Sequence, residues 1–444
     1  MVVDTKDNQR NRWDNKSPRD NQQYSDASQE QSLLHSKHSP KNVSEPNRPS
    51  EEWGVEGAFE SDIQLTPLQA RVLNADIVLT ESGQFRSKRK ALSNAESLWP
   101  SGVIPYQFEQ NFPWQHEVLE ALKHWEKETC ITFRDVSTSV QSELGHTSIV
   151  QFAHGPGCSS TIGRSSDGGI QETFLGDSCN SVGSAEHEIG HVIGFFHEQS
   201  RPDRDEHVHI HRDNVARGRL MEFRKYDTNR IRTDEPYDIG SVMHYGPTWF
   251  SKDGKAHTID PRDTRMMPWM GQRKELSFMD VKTANKLYNC GSKCSPGLMC
   301  ENGGYVGPQC TCVCPKQLTG RTCSQTVHEN MDCGGVLDEP TGTITSPGYP
   351  DKYSNKAACN WMIQAGQGKA ITLVFRAFSV EKGSECEYDS LEVKVYGPGL
   401  AGPKLCGEHQ QPEPIVYQGS NLVIRFTSDE SYNVSGFSID YHIQ

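Results

Sequence analysis

The chain has 444 residues and a net charge of −13 with no long basic run, which argues against a nucleic-acid partner and leaves room for about three domains. Hydrophobic residues make up only 34%, and no stretch approaches the roughly 20 apolar residues that a membrane-spanning helix needs. All fourteen cysteines fall after residue 129 in clustered spacings, the pattern of disulfide frameworks made in an oxidising compartment.

The apolar deficit sits at the start. Residues 1–50 are dominated by Asn, Gln, Ser, Asp and Pro, so they cannot bury enough surface to offset the entropy of ordering, and 1–57 is read as a disordered polar region. Met1-Val2-Val3-Asp4-Thr5-Lys6-Asp7 lacks the apolar core of a signal peptide. The cysteines outweigh that observation. The expectation is a secreted, extracellular protein whose recorded start is incomplete or whose export takes another route. Thr66-Pro67-Leu68-Gln69 has the form of a helix start with proline just inside. Arg86-Ser87-Lys88-Arg89 is a basic cluster of the kind cut by furin-like convertases, and its place between a low-complexity and a globular segment favours processing over a solvated charged loop.

From Trp99 the sequence becomes globular. Pro105–Phe108, Cys130–Phe133 and Ser148–Phe152 read as strands, and Pro113 opens an amphipathic helix carrying Val118, Leu119, Leu122 and Trp125. Cys158 and Cys179 bracket a glycine-rich loop and are read as a pair, a closure that contributes roughly 3 kcal/mol in the chain-entropy model. Cys130 and Cys290 are then left to tie the early part of this domain to its end.

The stretch His187-Glu188-Ile189-Gly190-His191-Val192-Ile193-Gly194-Phe195-Phe196-His197-Glu198 follows. On a helix His187 and His191 lie one turn apart on one face and can reach one metal ion. Glu188 stands beside the first ligand, where a carboxylate can take a proton from a water held by the metal. Gly194 lets the chain leave the helix through a left-handed turn, which returns His197 as a third ligand. Three nitrogens leave zinc an open position, the arrangement of a catalytic site. A merely histidine-rich buried helix would not need the glycine and third histidine in this register.

His207, His209 and His211 would share one face if extended, but nothing nearby completes a ligand set, so a solvated or hydrogen-bonded role is expected. Gly240-Ser241-Val242-Met243-His244-Tyr245 reads as a turn. Cys294, Cys300, Cys310, Cys312, Cys314 and Cys323 form a compact set in a piece too small to hold a core without staples. After a polar linker, alternating segments at 370–375, 391–395, 422–426 and 437–441, with Cys333, Cys359, Cys386 and Cys406, suggest a β-sandwich. Asn433-Val434-Ser435 is a glycosylation sequon at Asn433.

These residues resemble the astacin family of secreted zinc metalloproteinases, with an EGF-like module and a CUB domain appended. Metzincins share HExxHxxGxxH and a methionine turn, and Glu198 directly after His197, with Met243-His244-Tyr245, is similar to the astacins among them. The resemblance covers residue 58 onward and implies a multidomain chain: a propeptide at 58–89, an α+β metzincin-type catalytic domain at 90–290, a small disulfide-rich EGF-like module at 291–324 and an all-β CUB sandwich at 333–444.

It further implies that His187, His191 and His197 ligate one Zn²⁺, that Glu188 is general base and then acid, and that Met243 packs beneath the metal. Tyr245 is implied as an additional ligand that swings away to bind the oxyanion. Phe59-Glu60-Ser61-Asp62 is similar to the propeptide motif Phe-x-Gly-Asp, making Asp62 the zinc ligand of a latent form, with Ser61 where glycine is usual. Cleavage after Arg89 by a furin-like protease would make Lys90 the new N-terminus, its ammonium held by Glu198. The expected pairs are Cys294–Cys310, Cys300–Cys312 and Cys314–Cys323, then Cys333–Cys359 and Cys386–Cys406. Glu381, Asp389 and Asp429 fall where CUB domains bind Ca²⁺, a hard ion suited to carboxylate oxygens. The expected function is hydrolysis of extracellular proteins from a latent precursor, with parts of 163–171 among the residues setting cleavage preference. The alternative is a non-catalytic EGF/CUB binding protein with a vestigial protease domain.

Overall fold

In a computed structural model of the chain, the described residues are 61–65, 97–137, 144–165, 167–226, 235–328, 333–408 and 412–444. Residues 1–57, the helix start at Thr66 and the Arg89–Lys90 cleavage point lie outside them.

The first globular part is built on a four-stranded parallel sheet of β2 (Val103–Phe108), β3 (Thr132–Asp135), β4 (Ile149–His154) and β6 (Ile170–Leu175), in the order β3-β2-β4-β6. Helices α1 (Gln115–Glu128) and α2 (Val182–Ile193) pack on it. The buried face of α1 is Val118, Ala121, Leu122 and Trp125. Leu119, expected on that face, is 36% exposed; the i, i+3, i+4, i+7 stripe that begins at Val118 passes through 121, 122 and 125 instead. Helix α2 is buried along almost its whole length. Its first turn is capped by Ser181, whose Oγ accepts from the Ser184 N–H at 3.1 Å.

The chain then crosses to a second cluster of Val208, Phe223, Tyr237, Tyr245, Met266 and Met270, beside the hairpin of β7 (Val208–Ile210) and β8 (Ile259–Pro261). It returns through α3 (Phe278–Leu287), opened by a capping box of Ser277 and Asp280. Cys290 bonds Cys130, and Asn285 Nδ2 donates to the Glu128 carbonyl at 2.8 Å, so the end of α3 is tied to the end of α1. Cys158 bonds Cys179.

Residues 294–323 carry three disulfides, Cys294–Cys310, Cys300–Cys312 and Cys314–Cys323. They staple two short ladders, β9 (Tyr305–Val306) with β10 (Cys312–Val313) and β11 (Leu318–Thr319) with β12 (Gln325–Thr326).

The C-terminal part is a β-sandwich of two five-stranded sheets. One holds β13 (Gly335–Leu337), β15 (Ala358–Gln364), β17 (Ser390–Val393), β18 (Lys404–Leu405) and β21 (Asn421–Thr427). The other holds β14 (Thr341–Thr345), β16 (Ile371–Val380), β19 (Gly407–Glu408), β20 (Ile415–Tyr417) and β22 (Gly436–Ile443). Alternating inward residues such as Trp361, Ile363, Leu373, Phe375, Ile424, Phe426, Phe437 and Ile439 fill the space between the sheets. Cys333–Cys359 and Cys386–Cys406 are bonded. The sandwich docks on the first part: Trp269 Nε1 donates to the Gly402 carbonyl at 2.7 Å, and Tyr396 Oη to Asp263 at 2.9 Å. Among the described residues no helix is long and apolar enough to cross a membrane.

Candidate metal centre

Helix α2 ends at Gly194, where φ is +125° and the N–H reaches the carbonyls of Gly190 and His191. The turn sends Phe195 and Phe196 sideways and brings His197 back against the helix. The three imidazoles then lie together, with ring centroids 4.8 Å (His187–His191), 5.4 Å (His187–His197) and 4.8 Å (His191–His197) apart, all buried. His187 and His191 present Nδ1 to backbone carbonyls, of Val242 and Phe195, each at 2.8 Å. Those bonds place the protons on Nδ1 and leave Nε2 as a lone pair facing the cluster centre.

Asp62 enters from far upstream. Its Oδ2 lies 3.0 Å from His197 Nε2 and 3.3 Å from His187 Nε2. It is delivered by β1 (Ile63–Gln64), which pairs in parallel with β5 (Ser160–Thr161), with Ile63 buried and Gln64 Nε2 donating to Ser159 Oγ at 2.8 Å. Burial pushes the His187 imidazole down to about 4, and burial with the neighbouring imidazoles holds His191 well below its ordinary value. Burial works against charge on Asp62, and positive charge beside it, at His197 or on a cation held by the imidazoles, is what keeps its carboxyl well below the usual carboxylate range. Neutral imidazole lone pairs facing an ionised carboxylate repel unless a cation lies among them. Asp62 Oδ1 and His191 Nε2 moreover have no hydrogen-bond partner. Three nitrogens and one carboxylate oxygen suit Zn²⁺, and all four side chains come within 4.8 Å of one another.

Glu188 is fully buried and neither carboxylate oxygen has a hydrogen bond. Burial first, then the Asp62 charge, pushes its carboxyl well above the ordinary range. The Tyr245 ring packs 4.6 Å from that of His197. Met243 lies beneath the helix, where a Cβ on Gly190 would stand 2.6 Å from its Sδ. Glu198 accepts from Arg201 Nη1 and from the Asp238 N–H, both at 2.9 Å.

Ser61 has φ +57°, the left-handed region that glycine adopts without penalty. The serine accepts that conformation, and its Oγ donates to Glu222 Oε2 at 3.1 Å in a buried bond. Nothing in the motif reading pointed to Glu222. Burial pushes its carboxyl up, opposed by Ser61 and Arg219. Asp280 was missed as well: it accepts from Ser241 Oγ (2.6 Å), the Val242 N–H (2.9 Å) and the Ser277 N–H (3.0 Å), joining the start of α3 to the turn that orients His187. Ser277-Phe278-Met279-Asp280 carried a capping-box signal, but only for a helix start.

Of the other candidate sites, His211 Nε2 pairs with Asp260 at 2.7 Å and His207 stacks on Tyr237, which is a hydrogen-bonded and packed role. Gln171, the second residue of β6, is buried and donates to Thr161 Oγ1 of β5 and to the Gly163 carbonyl. Glu381, Asp389 and Asp429 come together at one end of the sandwich and form the second of two potential metal-holding groups among the described residues. Tyr353 Oη donates to Asp389 Oδ2 at 2.6 Å, and the Asp429 N–H donates to its Oδ1 at 2.7 Å. Glu381 Oε2 has no partner. Asn433 Nδ2 donates to Asn355 Oδ1 at 3.0 Å.

Residues 91–289 match the astacin peptidase family, and residues 333–441 match the CUB domain. Among curated proteins, Protein SpAN of Strongylocentrotus purpuratus is 39% identical over 402 residues, covering 89% of this chain and 64% of that protein. Zinc metalloproteinase nas-36 of Caenorhabditis elegans is 37% identical over 393 residues, covering 86% of this chain and 62% of that protein. The chain thus spans a little under two thirds of these relatives' lengths. A solved structure of high choriolytic enzyme 1, a hatching enzyme zinc-protease from Oryzias latipes, is 31% identical with a TM-score of 0.39, covering 44% of this chain and 96% of that one. A family match that begins just ahead of Trp99 and ends just before Cys290 encloses the whole histidine cluster, and the chain belongs to the astacin family, with a CUB domain behind its protease domain.

Proposed function

We propose that the chain is a secreted zinc endopeptidase that hydrolyses extracellular proteins and is made latent by Asp62. The observation that carries this reading is the Asp62 carboxylate seated between His187 and His197, beside an unpartnered, buried Glu188. His187, His191 and His197 would hold the metal through Nε2. When bound, zinc lowers the pKa of a water from about 15.7 to about 7 and polarises a carbonyl. Glu188 takes the proton from the attacking water and returns it to the leaving amine. The carbonyls of Val242 and Phe195 hold two of the imidazoles in register through their Nδ1 protons. Tyr245, next to the third ligand, is the group assigned to donate a hydrogen bond to the oxyanion, a contribution of about 3–4 kcal/mol for donors of this kind.

In this reading Asp62 fills the place of water and substrate until a furin-like protease cuts after Arg89, and the ammonium of Lys90 then docks at Glu198. Residues 291–324 are assigned as an EGF-like module. Glu381, Asp389 and Asp429 are assigned as a Ca²⁺ site, because an orphaned buried carboxylate oxygen and two neighbouring acids suit a hard cation, and Asn433 as a glycan acceptor. The decisive experiment compares protein matured at Arg89 with its Glu188→Gln variant on unfolded protein substrates. Cleavage by the wild type alone is expected; equal cleavage by both would refute the assignment of the base. The precursor carrying Asp62→Ala should cleave before processing, and silence there would remove Asp62 from the latency mechanism.

A further inference from the structure

Glu222 faces the residue that directly precedes Asp62. It sits in the short turn Leu220–Phe223, and Phe223 anchors that turn by packing edge-on to Tyr245 at 5.9 Å and to Phe250 at 6.1 Å. Tyr245 in turn packs on His197. The turn is therefore fixed to the same aromatic cluster that supports the third histidine. Its carboxylate reaches Ser61, the residue directly before Asp62, and Asp62 touches two of the three histidines. Ser61 is thus one residue from the carboxylate on the histidines, while Ile63 and Gln64 on its other side pair with β5; in the peptidase reading a side chain next to the cleaved bond comes close to the place Ser61 holds.

The charged and polar groups facing Glu222 are few. Oε1 accepts from Arg219 Nη1 at 3.3 Å, while Oε2 accepts only the Ser61 hydroxyl among the described residues. Arg219 is 39% exposed at its side chain, against 8% for Glu222, so the guanidinium stands at the rim and the carboxylate inside. When the 61–65 segment leaves, Oε2 loses its donor and the nearby Asp62 charge departs with it. A buried carboxylate with a vacated face favours a donor, above all a cation, and repels a second carboxylate.

We propose that Glu222 is a specificity-determining residue of the cleft, selecting substrates with lysine or arginine beside the scissile bond and rejecting those with aspartate or glutamate there. The inference rests on the peptidase reading above and adds the substrate class to it.

The test uses the full chain matured at Arg89 and paired peptides that differ only in Lys, Ala or Glu at the positions flanking the cleaved bond. The wild type is expected to favour Lys over Glu by about tenfold or more in kcat/KM, the size of a partly buried charge contact. Glu222→Gln should bring the two within about threefold while cleavage of the Ala peptide continues, and Glu222→Lys should reverse the order. If Glu222→Gln fails to fold, Arg219→Gln serves in its place: freeing Oε1 should enlarge the preference for Lys. Cleavage by the wild type with no preference for Lys over Glu, or a preference unchanged in these variants, overturns the role of Glu222 and leaves the peptidase intact. Absence of any cleavage by the wild type overturns the peptidase reading, and this inference with it.

Discussion

Gly190, between His187 and His191 on the helix, separates two opposing effects that can be weighed. Replacing glycine by alanine within a helix favours folding by about 1 kcal/mol, because alanine loses less backbone entropy. Here the added Cβ would lie 2.6 Å from Met243 Sδ and 3.4 Å from its Cε. A methionine can often yield, but Met243 is 2% exposed and its main chain is held at both ends. Its N–H donates to Ser241 Oγ at 3.0 Å, and its carbonyl accepts from the Glu198 N–H at 3.1 Å. Forcing a methyl into such a contact costs about 1–3 kcal/mol, so Gly190→Ala is expected to lose up to about 2 kcal/mol net. A second variant isolates the contact. Met243→Ala alone opens a cavity and should cost about 2–5 kcal/mol, but in the double variant the methyl added at position 190 no longer clashes and occupies part of that space. The double variant should therefore be more stable than the sum of the singles by about 1–3 kcal/mol, measured by urea unfolding of the zinc-loaded precursor. Additive losses, or a Gly190→Ala protein more stable than the wild type, would refute the view that the glycine is there to admit the sulfur.

Asp280→Ala removes the acceptor for Ser241 Oγ, the Val242 N–H and the Ser277 N–H; it should cost about 3 kcal/mol and weaken zinc binding about tenfold, read by competition with a chromogenic chelator. Asp238 is buried with Oδ2 unpartnered, and burial together with Asp280 pushes its carboxyl from 3.8 up to about 7. Because the folded value lies above the unfolded one, the associated stability is complete below about pH 4 and is lost as pH rises through about 7, on the order of 4 kcal/mol in total. Asp238→Asn should flatten that decline in precursor denaturation between pH 4 and 8, and an unchanged slope would assign the decline to other groups. Stripping the metal with a chelator should abolish proteolysis and lower the unfolding temperature, since the buried lone pairs of the histidines and the Asp62 carboxylate then face one another uncompensated.

The parts of the site that were legible in the sequence are those whose spacing follows from one element's geometry. His187 and His191 share a helical face, Gly194 turns the chain, and His197 follows at a fixed distance. The alternating strands of the sandwich were legible for the same reason, although β13, β14, β15, β18, β19 and β20 were not singled out, most of them being short or only partly alternating. Leu119 was misplaced because an apolar residue next to Val118 falls off the helical stripe that Val118 begins. Glu222 was not legible at all, and Asp280 was legible only as part of a helix start. Each acts on a residue far away in sequence, Ser61 in one case and Ser241 with Val242 in the other, and no local period records such a contact.

Those long contacts alter what the histidine motif means. The helix supplies two imidazoles, but the direction of the first is set elsewhere: Asp280 fixes the Val242 turn, the Val242 carbonyl fixes the His187 proton on Nδ1, and that leaves the Nε2 lone pair facing the cluster centre. Ser277 caps α3 by bonding the same Asp280, so the start of that helix and the orientation of a ligand 90 residues earlier (277 − 187) depend on one carboxylate. The end of α3 is clamped to α1 through Cys130–Cys290 and Asn285, and α1 packs directly on α2 through Trp125, whose Nε1 donates to the Glu186 carbonyl at 3.2 Å. The ligand helix is thus held from both its flanks by a chain of bonds that closes on itself. A defect at Asp280 should therefore reach the metal without touching a ligand, whereas a defect on the solvent face of α1, such as Leu119→Ala, should leave zinc affinity unchanged.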